Sequence, residues 1–251
     1  MDPVPLASGR DADVFAINDR RVLRRYREGG DVAAEAAIMA YVASLGFPVP
    51  TVYQARGADL VMERLDGRTM LSALIAGELD AMEAARCLAD LHHRLHALPP
   101  RLSECDDARI LHLDLHPENV MLTSRGPVVI DWRNATEGPA DLDVALSAVI
   151  LAQVAVEDEH PLASPAATLL DAFLDCVGGN LLTVLDRALA IRRNDPALTT
   201  SERERLDAAA VLITGHQQRR EATAGTRTHM PLTGRHAASQ LVDQDGARSC
   251  R

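Results

Sequence analysis

The first 65 residues alternate short apolar segments of strand type with one helical segment. Residues 31–45 are rich in helix formers, start at the N-cap candidate Asp31 and end before Gly46, which predicts a helix. Alternating apolar and polar positions separated by polar turns predict strands at 14–17, 21–25, 51–55 and 59–64. The predicted order is therefore strand, strand, helix, strand, strand.

The pattern changes to a helical one from about residue 72 onward. Leu88, Leu91 and Leu95 recur at helical spacing before Pro99, and the turn at 124–126 joins two short apolar strands within 110–132. Further periodic segments predict helices at 142–156, 166–176, 181–192 and 202–213. Past Gln217 the chain is polar and aperiodic, so we expect a flexible tail over 218–251.

Composition places the chain among ordinary globular proteins, with 251 residues, 47% hydrophobic and 25% charged. No stretch approaches the roughly 18 uncharged apolar residues of a membrane span, and the start is not of leader type. The four cysteines, Cys87, Cys105, Cys176 and Cys250, are far apart and form no CxxC pair. We therefore expect a cytoplasmic protein with reduced thiols and no membrane partner.

The charge pattern bears on the choice of partners. The net charge of −10 disfavours nonspecific binding to nucleic acid or acidic membranes and suits a cationic ligand. The chain has no lysine, so all 26 basic residues are arginine. Any chemistry that ordinarily uses a lysine must use arginine here.

The residues best suited to chemistry lie between positions 112 and 131. Asp114 and Asn119 stand in a polar segment between the apolar runs 110–111 and 120–122, and Asp131 ends the apolar strand 128–130. An amide and a carboxylate are oxygen donors of the kind that hold Mg²⁺ beside phosphate groups. Asn119 and Asp131 are therefore candidate metal ligands, and Asp114 is left as a candidate base.

A second interpretation of this segment remains open. His112, Asp114 and His116 alternate as His-x-Asp-x-His, a pattern that also occurs in the zinc or iron sites of hydrolases. Such a site needs further ligands, and His92, His93 and His96 instead lie on a predicted helix. For these three we expect packing against the core or exposure to solvent.

The run 112–122, followed by Ile130-Asp131-Trp132, resembles the HGDxHxxN and IDW segments of the aminoglycoside phosphotransferase family. That resemblance implies an α+β, two-lobed protein-kinase-like fold. It also implies that Asp114 acts as the base, that His112 braces the loop, that Asn119 and Asp131 bind Mg²⁺, and that Asp143 anchors the loop. Leu113 departs from the family, which usually has glycine there.

The same resemblance assigns nucleotide-binding roles in the first lobe. Ser8 and Gly9 stand where the family has its phosphate loop, although this segment holds one glycine and two acids. Arg24 takes the place of the strand lysine, with Glu35 as its ion-pair partner on the helix. Val22 and Met62 would form apolar walls, and backbone groups near Glu63 and Leu65 would bind the adenine of ATP or GTP.

These patterns together predict a nucleotide-binding lobe at 1–65, a helical lobe at 66–217 and a tail at 218–251. The predicted activity is transfer of the γ-phosphate of ATP or GTP, with Mg²⁺, to a hydroxyl of a small molecule such as an aminoglycoside-like antibiotic or a metabolite, and the net charge favours a cationic one. A lapsed nucleotide-binding pseudokinase is the alternative, suggested by Leu113, the missing lysine and the poor phosphate loop. Protein-kinase activity is disfavoured because the chain shows no activation segment after Asp131.

Overall fold

A computed structural model describes residues 4–157 and 159–228 of the chain, and the N-terminal part forms a five-stranded antiparallel sheet. The strand order is β1-β2-β3-β5-β4. The strands are β1 (Ala7–Ser8), β2 (Ala12–Asn18), β3 (Arg21–Tyr26), β4 (Val52–Arg56) and β5 (Asp59–Glu63). Helix α1 (Ala33–Ser44) packs beside β4 and buries Ile38, Met39 and Val42. The predicted strands and helix of this lobe are therefore present, with β1 in addition.

Alternation along β3 decides which of its side chains turn inward. Val22, Arg24 and Tyr26 are buried at every second position, and Leu23 and Arg25 between them are more exposed. The pairing places Val22 opposite Met62 and Arg24 opposite Leu60. An arginine at an inward position is thus directed by the strand period into the interior, where its charge requires partners.

A region of short elements connects the first sheet to the helices. It contains β6 (Arg68–Thr69), α2 (Met70–Ile75), α3 (Ala81–His96), β7 (Arg109–Leu111), the 3₁₀ turn Pro117–Asn119, β8 (Val120–Thr123), β9 (Gly126–Val129) and β10 (Thr136–Gly138). Strands β6, β8 and β9 form one sheet, and β7 pairs with β10. Gly67 has φ +93°, and a Cβ there would lie 1.9 Å from the Leu122 carbonyl oxygen, so only glycine fits this approach.

The remaining helices surround α4 (Ala140–Ala155), most of whose residues are buried. They are α5 (Ala163–Val177), α6 (Leu182–Arg193), α7 (Thr200–Glu204) and α8 (Leu206–Thr228). Helices α5, α6 and α8 all contact α4, which makes it the centre of the second lobe. The resulting α+β architecture confirms the predicted fold class. No helix within the described ranges has the length and apolarity needed to span a bilayer.

Two boundary predictions in this lobe are wrong. The segment expected as one helix at 202–213 is divided at Arg205 into α7 and α8. Helix α8 also continues to Thr228, so residues 218–228 are helical where a flexible tail was expected. Arg220 shows one reason, because its guanidinium donates to the Leu174 carbonyl oxygen of α5 at 2.6 Å. The rest of the expected tail, 229–251, lies outside the described residues.

Candidate active site

His112 lies fully buried at the start of the loop that leaves β7. Its Nε2 donates to the Ile130 carbonyl oxygen at 3.0 Å, and its Nδ1 accepts from the Asp114 backbone N–H at 3.3 Å. Its ring meets Trp132 edge to face, with centroids 4.9 Å apart. Burial lowers the pKa of His112, which keeps the imidazole neutral as these two bonds require. His112 therefore ties the loop to the strand that ends at Asp131.

Asp114 and Asn119 are in direct contact across the same loop. The Asn119 amide nitrogen donates to the Asp114 carbonyl oxygen at 2.8 Å and to its carboxylate Oδ2 at 3.0 Å. Burial alone raises the pKa of Asp114, but the nearby His116, His112 and Arg192 outweigh burial, and the net shift is downward. Asp114 is thus an ionised, half-buried carboxylate held in place by Asn119.

The backbone before Asp114 is held in an uncommon conformation. Leu113 has φ +62°, in the left-handed region, and its N–H donates to the Asp143 carboxylate Oδ1 at 2.6 Å. Asp143 is completely buried on α4. The expected anchoring by Asp143 is confirmed by this bond. The positive φ also explains why glycine suits the position, since a leucine there is strained by about 1–2 kcal/mol.

Asp131 is the other non-glycine residue with a left-handed φ, at +64°, among the residues that the structure describes. It follows β9, and the Ile130 N–H donates to the Asn119 carbonyl oxygen at 2.9 Å, which brings the two predicted metal ligands to adjacent positions. Strained backbone at two residues of one site is typical of functional positions.

Arg24 joins the two lobes at this point. Its guanidinium contacts Glu35 of α1 at 3.0 Å and Asp131 at 2.5 Å. Glu35 also accepts from the Tyr26 hydroxyl at 2.8 Å, and its pKa is raised by burial despite the Arg24 charge. The ion pair predicted between Arg24 and Glu35 is therefore present, and Asp131 is a third member that spacing alone did not indicate.

The predicted adenine-binding residues lie along β3, β5 and the link that follows. Val22 and Met62 face each other across the two strands. The Glu63 N–H donates to the Thr51 carbonyl oxygen at 2.8 Å, so this donor is already used within the sheet. Leu65 makes no backbone–backbone hydrogen bond with any other residue that the structure describes.

Among the predicted nucleotide-binding segments, the phosphate loop has the conformation that least suits its expected role. Ser8 lies exposed in β1, and the Gly9 N–H donates to the Ala12 carbonyl oxygen at 2.9 Å, which closes a tight turn. In this conformation the Gly9 N–H is therefore used within the loop. The loop instead reaches the second lobe through side chains, because Arg10 contacts Glu202 at 2.6 Å and Asp11 contacts Arg133 at 2.7 Å.

Sequence reasoning missed Arg192, which faces Asp114 from α6. Arg192 places its guanidinium 4.0 Å from the Asp114 carboxylate, and it also contacts Asp195 at 3.1 Å and Gln153 at 2.8 Å. The motif gave no signal for this contact, because residue 192 is distant in sequence and approaches only through the packing of α6 on α4.

The sequence allowed two metal sites, one for Mg²⁺ at Asn119 and Asp131 and one of His-x-Asp-x-His type at 112–116, and the observed contacts distinguish them. Asn119 commits its amide nitrogen to Asp114, which leaves its oxygen, and the Asp131 side chain is 38% exposed. Two hard oxygen donors fit Mg²⁺ bound together with phosphates. In contrast, both His112 nitrogens are used by the backbone, and His112, Asp114 and His116 form no three-ligand cluster in the described ranges. The arrangement does not support a His-x-Asp-x-His metal site.

Comparison with solved structures defines the class first. Amicoumacin kinase hAmiN, in complex with AMP-PNP, Ca²⁺ and Ami, has a TM-score of 0.50 at 13% identity, covering 84% of this chain and 87% of that one. The ADP-bound aminoglycoside phosphotransferase APH(2'')-Ib has a TM-score of 0.50 at 14% identity, covering 85% of this chain and 92% of that one. At this identity the likeness concerns the fold, which is that of the protein-kinase-like small-molecule kinases.

Sequence comparison then gives the family. The profile of the phosphotransferase enzyme family matches residues 2–109 and 104–179, and the chain belongs to this family. Among characterised proteins, a thiamine kinase of Salmonella paratyphi A is 35% identical over 32% of this chain and 39% of its own length. The match thus spans about two fifths of that relative.

Proposed function

We propose that the protein is a Mg²⁺-dependent kinase that transfers the γ-phosphoryl group of ATP or GTP to a hydroxyl of a small molecule. The observation that carries this proposal is the position of Arg24, which contacts both Glu35 and Asp131. These three residues come from a strand, a helix and a loop of two lobes. A guanidinium held between them meets the phosphates of a nucleotide bound in the cleft.

Asp114 is the proposed base. It is ionised, because His116, His112 and Arg192 lower its pKa despite burial. Its Oδ2 accepts from Asn119, and its Oδ1 faces His116 at 3.7 Å and Arg192 at 4.0 Å. A carboxylate fixed on one side in this way orients an acceptor hydroxyl and takes its proton as the phosphoryl group is transferred.

Asn119 and Asp131 are the residues that would hold Mg²⁺. When bound, the ion neutralises charge on the phosphate oxygens. Asp131 contacts Arg24 directly, so the same carboxylate serves the metal and fixes the guanidinium beside it. Val22 and Met62, which pair across β3 and β5, would contact the adenine ring from the sheet. The backbone groups of Leu65, which pair with no other backbone group in the described residues, would bind the edge of that ring. Ser8 would lie near the phosphates only after the turn at Gly9 rearranges.

The acceptor is proposed to be neutral or cationic. Two ion pairs lie near Asp114, and each is neutral overall. Arg192 pairs with Asp195, and Arg10 pairs with Glu202. Asp114 therefore leaves this side with a net negative charge. Thiamine, the acceptor indicated by the name of the characterised relative, is a cation with a primary hydroxyl, and aminoglycosides are polycations.

The proposal is tested by calorimetry with ATP and GTP, each with and without Mg²⁺. Wild type should bind nucleotide in a Mg²⁺-dependent manner, and Asp131→Ala should lose this dependence. Asp141→Ala is the matched control, since Asp141 is an exposed acid at the start of α4. Absence of nucleotide binding by wild type would overturn the proposal. A positive result is followed by a screen for ADP release with thiamine, aminoglycosides, choline, homoserine and sugars.

A pseudokinase is the second candidate, because the Gly9 amide is occupied and Arg10 holds its loop against Glu202. This candidate predicts nucleotide binding without any transfer. Slow hydrolysis of ATP to ADP separates the two candidates even before an acceptor is known. A kinase should show it in wild type and lose it in Asp114→Ala.

A further inference from the structure

His92 lies completely buried on α3, behind the catalytic loop. Its Nε2 is 3.0 Å from the Ser147 hydroxyl, and that hydroxyl donates to the Leu115 carbonyl oxygen at 2.7 Å. A serine hydroxyl has a single proton, and here the carbonyl receives it. Ser147 must therefore accept from His92, which fixes the imidazole proton on Nε2 and leaves Nδ1 to be explained.

The Nδ1 atom of His92 has no hydrogen-bond partner although it is buried. It faces the Asp143 carboxylate Oδ2 at 3.4 Å. In a neutral imidazole this places a nitrogen lone pair against an anion in the protein interior, which is unfavourable. The contact becomes favourable only if a positive charge lies between the two atoms.

His96, one turn further along α3, approaches the same oxygen. Its Nε2 is 2.9 Å from Asp143 Oδ2, and its side chain is 11% exposed. One ligand atom from each of His92, His96 and Asp143 lies within 4.8 Å of the other two. Two imidazoles at i and i+4 of a helix and one carboxylate are the donor set that proteins use for zinc and related divalent ions.

We propose that His92 Nδ1, His96 Nε2 and Asp143 Oδ2 bind a divalent transition-metal ion such as Zn²⁺, at a structural site separate from the Mg²⁺ ligands Asn119 and Asp131. Imidazole donors select Zn²⁺, Co²⁺ or Ni²⁺ over Mg²⁺, which prefers oxygen. The ion supplies the missing positive charge and gives the orphaned Nδ1 a partner.

His96 is the member of this site that lines a cavity. A cavity of about 570 Å³ is lined by His96 together with Ser103, Cys105, Asp106 and Arg109. An ion can enter from this cavity, and water there can complete the coordination. The remaining oxygen of Asp143 keeps its bond to the Leu113 N–H, so the ion would fix the residue that anchors the loop next to Asp114.

The test is a calorimetric titration of Zn²⁺ into metal-free full-length protein, without nucleotide. Wild type should bind one ion at this site, and His96→Gln should weaken that binding by at least about 100-fold. His93→Gln is the matched control, because His93 is exposed on the same helix and should bind like wild type. Excess Mg²⁺ should not displace the Zn²⁺.

Equal Zn²⁺ binding by wild type and His96→Gln would overturn the site. Absence of binding to wild type would have the same meaning. If His96→Gln does not fold, the visible spectrum of Co²⁺ added to wild type tests the site instead. A visible spectrum typical of four- or five-coordinate Co²⁺ with nitrogen ligands supports the site, and the spectrum of the hydrated ion contradicts it. None of these results depends on nucleotide binding, so they are independent of the proposed kinase function.

Discussion

The two halves of the candidate site are built in different ways. In the catalytic loop, His112 and Asn119 are buried and bonded to backbone or to Asp114. In the phosphate loop, Ser8, Gly9 and Arg10 are exposed. One of the contacts that hold this loop is the ion pair between Arg10 and Glu202, which we call the Arg10 clasp.

This difference separates a fixed region from an adjustable one. Buried hydrogen bonds in a low dielectric define a single geometry, because breaking one leaves a polar group without a partner. Exposed ion pairs contribute little and are screened by salt. We therefore expect the catalytic loop to be preorganised and the phosphate loop to rearrange when a nucleotide enters.

The largest effect should come from Asp114→Asn. The variant keeps the size of the side chain but removes the base, so kcat should fall by about 10²–10⁴-fold while the nucleotide Kd changes by no more than a few-fold. Steady-state ADP release and calorimetry measure the two quantities. Glu118→Gln, an exposed acid in the same loop, should behave like wild type. Full turnover in Asp114→Asn would remove the catalytic role of this loop.

Arg24→Ala should have the largest effect on stability. The change leaves Glu35 buried without its cation, and the loss of one partner of a buried pair costs about 3–5 kcal/mol. Urea unfolding measures the loss. Arg25→Ala is the control on the same strand, since its pair with Asp59 is exposed, and its effect should be much smaller.

The double variant Arg24→Ala/Glu35→Gln sharpens this prediction. If the cost arises from the unpaired carboxylate, adding Glu35→Gln should recover part of the stability lost in Arg24→Ala. Additive losses would mean that the two residues act independently, and Arg24 would then be held mainly by Asp131.

The sequence alone could predict the parts of the site that local spacing defines, which are mainly those of the catalytic loop. Asp114, Asn119 and Asp131 were found because their donors lie close together between apolar strands, so local spacing defines them. The strands and α1 followed from periodicity. The pair of Arg24 with Glu35 came from the family resemblance, and the strand period explains why Arg24 turns inward.

The misses have a common physical origin in contacts between distant segments. Arg192 reaches Asp114, and Glu202 reaches Arg10, only through the packing of helices that no local pattern records. The end of α8 was misplaced because residues 218–228 hold no large apolar side chain, and its tertiary contacts, such as that of Arg220, are not visible in the sequence. The occupied Gly9 amide depends likewise on the turn formed with Ala12.

Ser147→Ala tests the support behind the catalytic loop. The hydroxyl accepts from His92 and donates to Leu115, so its removal leaves two buried groups without a partner and should cost about 2 kcal/mol. Chemical unfolding measures this loss, and kcat should fall more than the nucleotide affinity. Ser164→Ala, on the exposed side of α5, is the control and should be nearly neutral. A neutral Ser147→Ala would mean that His112 and Asp143 hold the loop without a contribution from Ser147.

The smallest effect should come from the Arg10 clasp, tested with Glu202→Gln. Glutamine retains the cap that Glu202 forms on the Thr199 N–H but loses the charge that attracts Arg10. Because the clasp is partly exposed, the loss should stay below about 1 kcal/mol near neutral pH and shrink at high salt. Glu204→Gln is the exposed control on the same helix.

The pH dependence of this small effect has a definite sign. Burial raises the pKa of Glu202, but the Arg10 hydrogen bond and the Thr199 cap outweigh burial and lower it from 4.5 to about 2. A carboxylate with a lowered folded-state pKa stabilises the fold above its unfolded pKa, so the difference between wild type and Glu202→Gln should be constant above about pH 5 and decline below it. Urea unfolding between about pH 3 and 7 measures this difference. A loss well above 1 kcal/mol that salt does not reduce would show that the phosphate loop is held as firmly as the catalytic loop, and the contrast between a fixed and an adjustable half would then be wrong.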